Sequence, residues 1–200
     1  YRIFNSNLKI EFFKPYKIKN SDGTESSFTF VKQYTFLPDE YVFRLDIRVE
    51  NITNAKSFNF DNVAYTLRTP PQIGPYFDRK KDKYENRTFM TFNGEKIKKL
   101  QGLPENSSKI YDKVVNWTGV TGKYFSVLVA PMNNTSIGDI VYSSALDVPG
   151  YANAQVKIQR NPILDSSSLD TYYIYVGPRT DKAMGIYNKA NENGWKLSNL

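Results

Sequence analysis

Apolar and polar residues alternate with a period of two over much of this chain. Tyr41, Phe43, Leu45, Ile47 and Val49 share one parity. Arg44, Asp46, Arg48 and Glu50 share the other, with Val42 as its one apolar member. Such a period puts the two sets on opposite faces of a strand, one in a core and one wet. The Arg/Asp/Arg/Glu order allows a cross-strand charge ladder, but a plain solvated face is the simpler expectation. The same period predicts strands at Phe28–Phe36, with Lys32 as the polar member, at Ala154–Ile158, and at Thr171–Val176. A short strand is expected over Asp139–Ser143. Leu8, Ile10 and Phe12 mark one strand, or two joined through Asn5-Ser6-Asn7. Turn residues separate these segments at Pro15–Thr24, Leu37–Glu40, Asn51–Asn54, Asn133–Gly138, Asp147–Gly150 and the serine-rich hairpin loop Asp165–Asp170.

The alternation fails in one stretch, Trp117–Pro131 (WTGVTGKYFSVLVAP). Tyr124–Ala130 is apolar except for Ser126, which predicts a central strand covered on both faces. Pro131, with no N–H for the ladder, ends it. Gly119 and Gly122 bracket Val120-Thr121, which predicts a tight turn there.

Elsewhere the pattern is weaker. Phe58 and Phe60 share one parity and Val63, Tyr65 and Leu67 the other, so a bulge at Asp61-Asn62 would restore one buried face. Arg68–Pro75 reads as an ordered loop, and Gln101–Ser108 as another. Asp78–Leu100 is the most charged part, with weak strands near Thr88–Phe92. One helix is expected, over about residues 180–193. Thr180 is its N-cap, Asp181 suits the positive end of its dipole, and Gly194 follows its stop. Met184, Tyr187 and Ala190 form its stripe, while Gly185 weakens its interior. Around a dozen strands and one terminal helix predict an all-β sandwich.

Composition changes this picture mainly by exclusion. The 200 residues contain no Cys and no His. Ser-His-Asp and Cys-His catalysis and nearly all zinc sites are thereby removed; Ser–Lys chemistry and carboxylate pairs stay open. No disulfide framework exists, and a core of this length needs none. Aromatics reach 15%, which favours strands. Mean hydropathy is −0.54 and no window has the length of a membrane span. The chain opens in mid-strand without a basic-then-apolar leader and stops abruptly at Leu200, which suggests a piece of a longer protein. Net charge is +7. Its densest clusters, Arg79–Lys83 and Lys96–Lys99, fall in polar stretches read as loops, which favours a solvated rim over a nucleic-acid surface. Proximity to an anionic membrane fits the charge equally well.

Four segments in order carry a resemblance: YVFRLDIRVEN (41–51), RTPPQIGP (68–75), WTGVTGKYFSVLVAP (117–131) and YIYVGPRTDKAMGIYNKANENGW (173–195). Together they resemble the extracytoplasmic domain of bacterial YidC-type membrane protein insertases. The W-x-G-V…K-Y-F…P strand followed by Y-V-G-P-[KR] is the specific part. The resemblance implies a mainly-β supersandwich, galactose-mutarotase-like, with a C-terminal α-helix. It implies one periplasmic domain over 1–200, with the sandwich at about 1–178, between a first transmembrane helix and a five-helix insertase core. Gly194-Trp195 would be where the chain turns toward the second membrane helix. The implied role is non-catalytic, with no cofactor, metal or nucleic acid, on the periplasmic side of the inner membrane. Nascent membrane proteins are the implied clients, and the Sec translocon and SecDF the implied partners. Residues 78–108 depart from the pattern, so no SecDF contact carries over. Trp117, Gly119, Tyr124, Phe125, Pro131, Tyr175, Gly177, Pro178, Gly194 and Trp195 are expected to specify shape rather than chemistry.

Two other readings stand beside this one. A Tyr-rich sandwich could bind sugar or an extended peptide, although mutarotase chemistry uses a His that this chain lacks. A secreted adhesin-like domain would use the sequons at Asn51, Asn86, Asn106, Asn116 and Asn133, yet Asn116 adjoins a core Trp where a glycan would not fit.

Overall fold

A computed structural model describes residues 2–4, 8–19, 23–53, 58–74, 87–101, 103–104, 106–111, 115–144 and 154–198. Its strands are β1 (Arg2–Phe4), β2 (Lys9–Lys19), β3 (Glu25–Phe36), β4 (Val42–Thr53), β5 (Tyr65–Arg68) and β6 (Thr88–Phe92). They continue with β7 (Ile97–Gln101), β8 (Ser108–Tyr111), β9 (Trp117–Thr121), β10 (Phe125–Pro131), β11 (Ile137–Ser143), β12 (Gln155–Arg160) and β13 (Ser168–Pro178). A short helix, α1 (Asp181–Gly185), and a 3-10 turn at Ile186–Asn188 follow.

Among the described residues, nine strands form one antiparallel sheet in the order β1-β2-β3-β4-β13-β10-β9-β6-β7. Four form a second sheet in the order β5-β12-β11-β8. The main core lies between them. Leu45, Ile47, Val120, Val127, Val129, Tyr172 and Ile174 come from the large sheet, and Ile140, Tyr142, Val156 and Ile158 from the small one. The expected sandwich architecture is observed. The alternation of β4 works as predicted: Leu45, Ile47 and Val49 are buried on the inner face. Val42, the exception in the sequence, is buried on the outer face beneath the C-terminal segment.

The apolar run of β10 is covered on both sides. Val127 and Val129 face the small sheet, while Leu128 and Ala130 join a second cluster with Trp117, Tyr175 and Tyr187. Glycine spacing misplaces the preceding turn. Val120 and Thr121 are strand residues paired with Val127 and Ser126, and the chain turns at 122–124, closed by Gly122 N–H donating to Phe125 O at 2.8 Å.

Several expectations are corrected. The outer face of β4 is a paired network rather than a plain solvated face. Arg44 Nε donates to Asp46 at 2.9 Å, and Arg48 donates to Glu50 and to Glu11 of β2, both at 2.7 Å. Thr171 of β13 donates to Asp46 at 2.7 Å. Asn51 does not end β4; it takes φ +56 at a register shift, and the strand runs on to pair Thr53 with Ser27. Pro15 lies inside β2 rather than in a turn, as proline can on an edge strand. Asp61 and Asn62, at φ +55 and +66, form a tight turn joining Phe60 to Val63, not a bulge. The loop expected at Lys96–Lys99 is instead mostly strand: Ile97–Gln101 is an edge strand whose lysines protect it. The loop expected over Gln101–Ser108 gives way at Ser108, where the strand Ser108–Tyr111 begins. Residues 165–167 cross between the sheets instead of turning a hairpin, since β12 and β13 belong to different sheets. The helix expected over 180–193 stops at Gly185. The expected tips at 20–22, 54 and 147–150, the Arg79–Lys83 cluster, Pro75 and the Asn86 sequon lie outside the described residues.

Candidate functional site

Registry brings the two halves of the resemblance motif together. β10 and β13 are antiparallel neighbours, with Phe125 opposite Pro178, Ser126 opposite Gly177 and Leu128 opposite Tyr175. Beyond the ladder, Arg179 N–H donates to Tyr124 O at 2.7 Å and Arg179 Nη1 to Gly122 O at 3.0 Å. The Tyr-Val-Gly-Pro-Arg strand thus clamps the hairpin turn.

Small residues occupy this junction because backbones meet there. A Cβ on Gly119 would lie 2.0 Å from Val127 O and 2.8 Å from Leu128 Cα. One on Gly177 would lie 2.8 Å from the Tyr41 ring. Tyr175 is buried, donates to Pro178 O at 2.6 Å, and its phenol is pushed up to about 12, chiefly by burial and then by Tyr41. Pro131 sits at the far end of β10, opposite Tyr172. Tyr124 and Phe125 are exposed at the hairpin tip, unlike the other aromatic motif residues.

The C-terminal segment docks on the outer face of this junction. Thr180 caps α1 as expected, accepting from Ala183 N–H at 3.2 Å. Tyr187 then reaches Tyr41, 146 residues away in sequence, and the first residue of β4. Its hydroxyl donates to Glu40 Oε2 at 2.7 Å and accepts from Tyr41 N–H at 2.8 Å and Val42 N–H at 3.2 Å. Burial, then the Glu40 hydrogen bond, raise its pKa above the ordinary tyrosine value. Glu40 Oε1 accepts Gly194 N–H at 2.5 Å, and Trp195 Nε1 donates to Val42 O at 2.8 Å. Asn193 ties the segment together, donating to the carbonyls of Ile186, Lys189 and Leu197. Those side-chain bonds replace the helix predicted through residue 193.

Sequence reasoning placed Trp117, Tyr175 and Trp195 in the motif, and they share one apolar cluster. It missed Glu40, Asn193 and the Tyr187 hydroxyl. The signal was Val42: a lone apolar residue on a charged face marks where something covers that face. Replacing Tyr187 with phenylalanine removes one donor and one acceptor and leaves Glu40 and two N–H groups short of partners. A loss of about 2 kcal/mol is expected in urea unfolding, with faster proteolysis after residue 180.

Alkali provides another test. Tyr65, Tyr172, Tyr175 and Tyr187 all have pKa values raised by burial. A raised folded pKa gives stability that is complete below the unfolded value near 10 and declines as pH climbs beyond it. Ultraviolet titration at pH 11 should therefore leave these four phenols protonated while the chain is folded, and the unfolding midpoint should fall above pH 10.

A second polar centre links the sheets. Asp170 Oδ2 of β13 accepts from Arg160 Nε of β12 at 3.0 Å and from the Tyr65 hydroxyl of β5 at 2.7 Å. Tyr65 and Tyr172 hydroxyls lie 3.1 Å apart. Beside Arg160 opens a shallow polar depression of about 430 Å³, lined by Asp61, Asn62, Asp139 and Asn161 among others. Among the described residues no three His, Cys, Asp or Glu side chains gather as metal ligands, and no helix is long and apolar enough to cross a membrane.

The model of the YidC periplasmic domain family matches residues 16–198. The membrane protein insertase YidC of Treponema denticola is 35% identical over 193 residues, covering 96% of this chain and 33% of that protein. That of Treponema pallidum is 30% identical, covering 94% of this chain and 34% of its own length. That of Buchnera aphidicola is 22% identical, covering 81% and 31%. The chain spans about a third of the length of the curated relatives it matches.

Proposed function

The chain belongs to the YidC periplasmic domain family, and from that premise we propose that it is the non-catalytic periplasmic domain of an inner-membrane protein insertase. It helps nascent membrane proteins insert and fold, with or without the Sec translocon. Its tasks are spacing, orientation and docking of partners, SecDF among them. Residues 1–200 act as one domain, and the ten motif residues serve its shape.

One observation carries this reading. Most of the motif residues converge on the junction of β10, β13 and the C-terminal segment and are used in packing; Pro131 lies at the far end of β10, and Tyr124 and Phe125 stay exposed at the hairpin tip. Gly119 and Gly177 allow close approach, Trp117 and Tyr175 fill the outer cluster, and Trp195 and Gly194 fasten the segment to Val42 and Glu40. Such a dock fixes the C-terminal segment against the outer face of the large sheet. That suits a domain that must hold one orientation over a membrane.

The test is made in the full-length protein. Deleting residues 1–170, which keeps the C-terminal segment, is expected to weaken association with the Sec translocon in pull-downs and to lower insertion of Sec-dependent clients. If both stay at wild-type levels, the domain is only a spacer and the docking role is wrong.

A second reading has its own support. Beyond the small sheet, no described strand covers the inner face of the large sheet. Phe36, Phe125 and Val176 are 37%, 39% and 47% exposed there. An extended peptide or a sugar would find aromatic contacts on this face. Binding of glycans or unfolded client peptides that is lost in Phe36→Ser would favour it.

A further inference from the structure

The long hairpin β2–β3 lies toward one end of the large sheet, and β2 is nearly its outermost strand. β1 pairs only with Lys9, Ile10 and Glu11. From residue 12 onward β2 has β3 on one side and, among the described residues, no strand on the other. This edge is strongly basic. Lys14, Lys17 and Lys19 lie along it with no carboxylate among them, and Glu11, in the part that β1 covers, is buried against Arg48. None of these three lysines makes an ion pair with a described carboxylate. Alternation points Lys14 to the inner face and Lys17 and Lys19 to the outer, so the charge wraps the edge.

The edge is aromatic as well. Phe13 and Tyr16 are 45% and 39% exposed, and the Lys14 ammonium sits 5.0 Å from the centre of the Tyr16 ring. Exposed rings beside lysines suit the headgroup level of a bilayer, where a ring has one apolar and one wet side. The opposite edge, β7, has Lys98 and Lys99 but no aromatic residue of its own.

An added peptide strand fits this edge poorly. Pro15 stands at its middle without an N–H, and flanking lysines oppose strand addition. A lipid headgroup layer demands no register and is attracted by the charge. We propose that the β2 edge, from Phe12 to Lys19, is a contact surface for anionic lipid headgroups, which holds the domain edge-on against a membrane. The inference goes beyond the insertase role and stands on this edge alone.

The probe is vesicles of phosphatidylcholine with 30% phosphatidylglycerol (about a third anionic lipid, an experimental choice), against phosphatidylcholine alone. Co-sedimentation of the 200-residue chain should favour the anionic vesicles and fade as salt screens the lysines. Each lysine near the surface contributes about fivefold to partitioning, so the variant K14Q/K17Q/K19Q should bind at least about tenfold more weakly. The variant K96Q/K98Q/K99Q, on the β7 edge, should stay within about twofold. Far-UV circular dichroism must show the same strand signal in all three proteins. Three results would overturn the proposal: no preference for anionic vesicles, an equal loss in both variants, or capture of an acidic polypeptide by the β2 edge while vesicles are ignored. Insertion assays on the full-length protein report separately, so a failure here leaves the insertase reading standing.

Discussion

Replacing Gly119 with alanine should cost this chain about 3 kcal/mol or more, far beyond an ordinary glycine substitution. The added Cβ would lie 2.0 Å from the Val127 carbonyl oxygen and 2.8 Å from Leu128 Cα. Both are backbone atoms, so no side chain can swing aside. β9 would have to part from β10, and these strands sit inside the large sheet with β13 and β6 beyond them. Parting them would open the ladder from Ser126 to Val129 and the packing of Val120 and Val127. A loss of this size is a large share of a typical total of about 5–15 kcal/mol. The urea midpoint should fall by about 1 M or more. Gly185→Ala is the matched control. Nothing lies within 4 Å of its added Cβ, and alanine suits a helix better, so stability should hold or rise by up to about 1 kcal/mol. A Gly119→Ala midpoint equal to wild type would show that the junction is not limited by close approach.

The sequence revealed those parts of the fold whose cause is local. β4 and β12 alternate because each has one core face and one other face. The dual burial of β10 was legible too, since losing alternation is the mark of a covered strand. β6 showed only as a weak strand: in TFMTF both faces are buried, but its two threonines interrupt the apolar run. One of them, Thr91, turns its hydroxyl to Thr118 at 2.9 Å and to the Tyr142 hydroxyl inside the core. β7 was hidden by the lysines that guard an edge. The candidate site divides the same way. Trp117, Tyr175 and Trp195 could be picked from the motif. Glu40 could not, because its partners Tyr187 and Gly194 lie about 150 residues away and no local spacing encodes them. Likewise Arg48 is satisfied by Glu11 across β3, a pairing visible only once strand order is known.

Asp170→Asn should be the other severe substitution, at about 3 kcal/mol or more. Side-chain exposure is 3% for Asp170 and 14% for Arg160, so this pair is shielded from water far better than the Arg44–Asp46 pair. Asparagine keeps the shape but leaves a guanidinium with no anion, and replaces a charge-assisted bond to Tyr65 by a neutral one. Arg160 is further held by the carbonyls of Asn161 at 2.7 Å and Pro162 at 3.2 Å, so it cannot easily turn outward. Position raises the stakes. Asp170 lies on the large sheet, Arg160 and Tyr65 on the small one, so this centre fastens the two layers. Loss of that fastening should loosen the sandwich before it unfolds, seen as added binding of a hydrophobic dye at low urea. Arg160→Met should be comparably harmful, because it strands the carboxylate instead. The double variant should then cost clearly less than the sum of the two, by about 1 kcal/mol or more, since neither charge is left alone. Strict additivity would mean that the two side chains do not act as a pair and that shape alone joins the sheets.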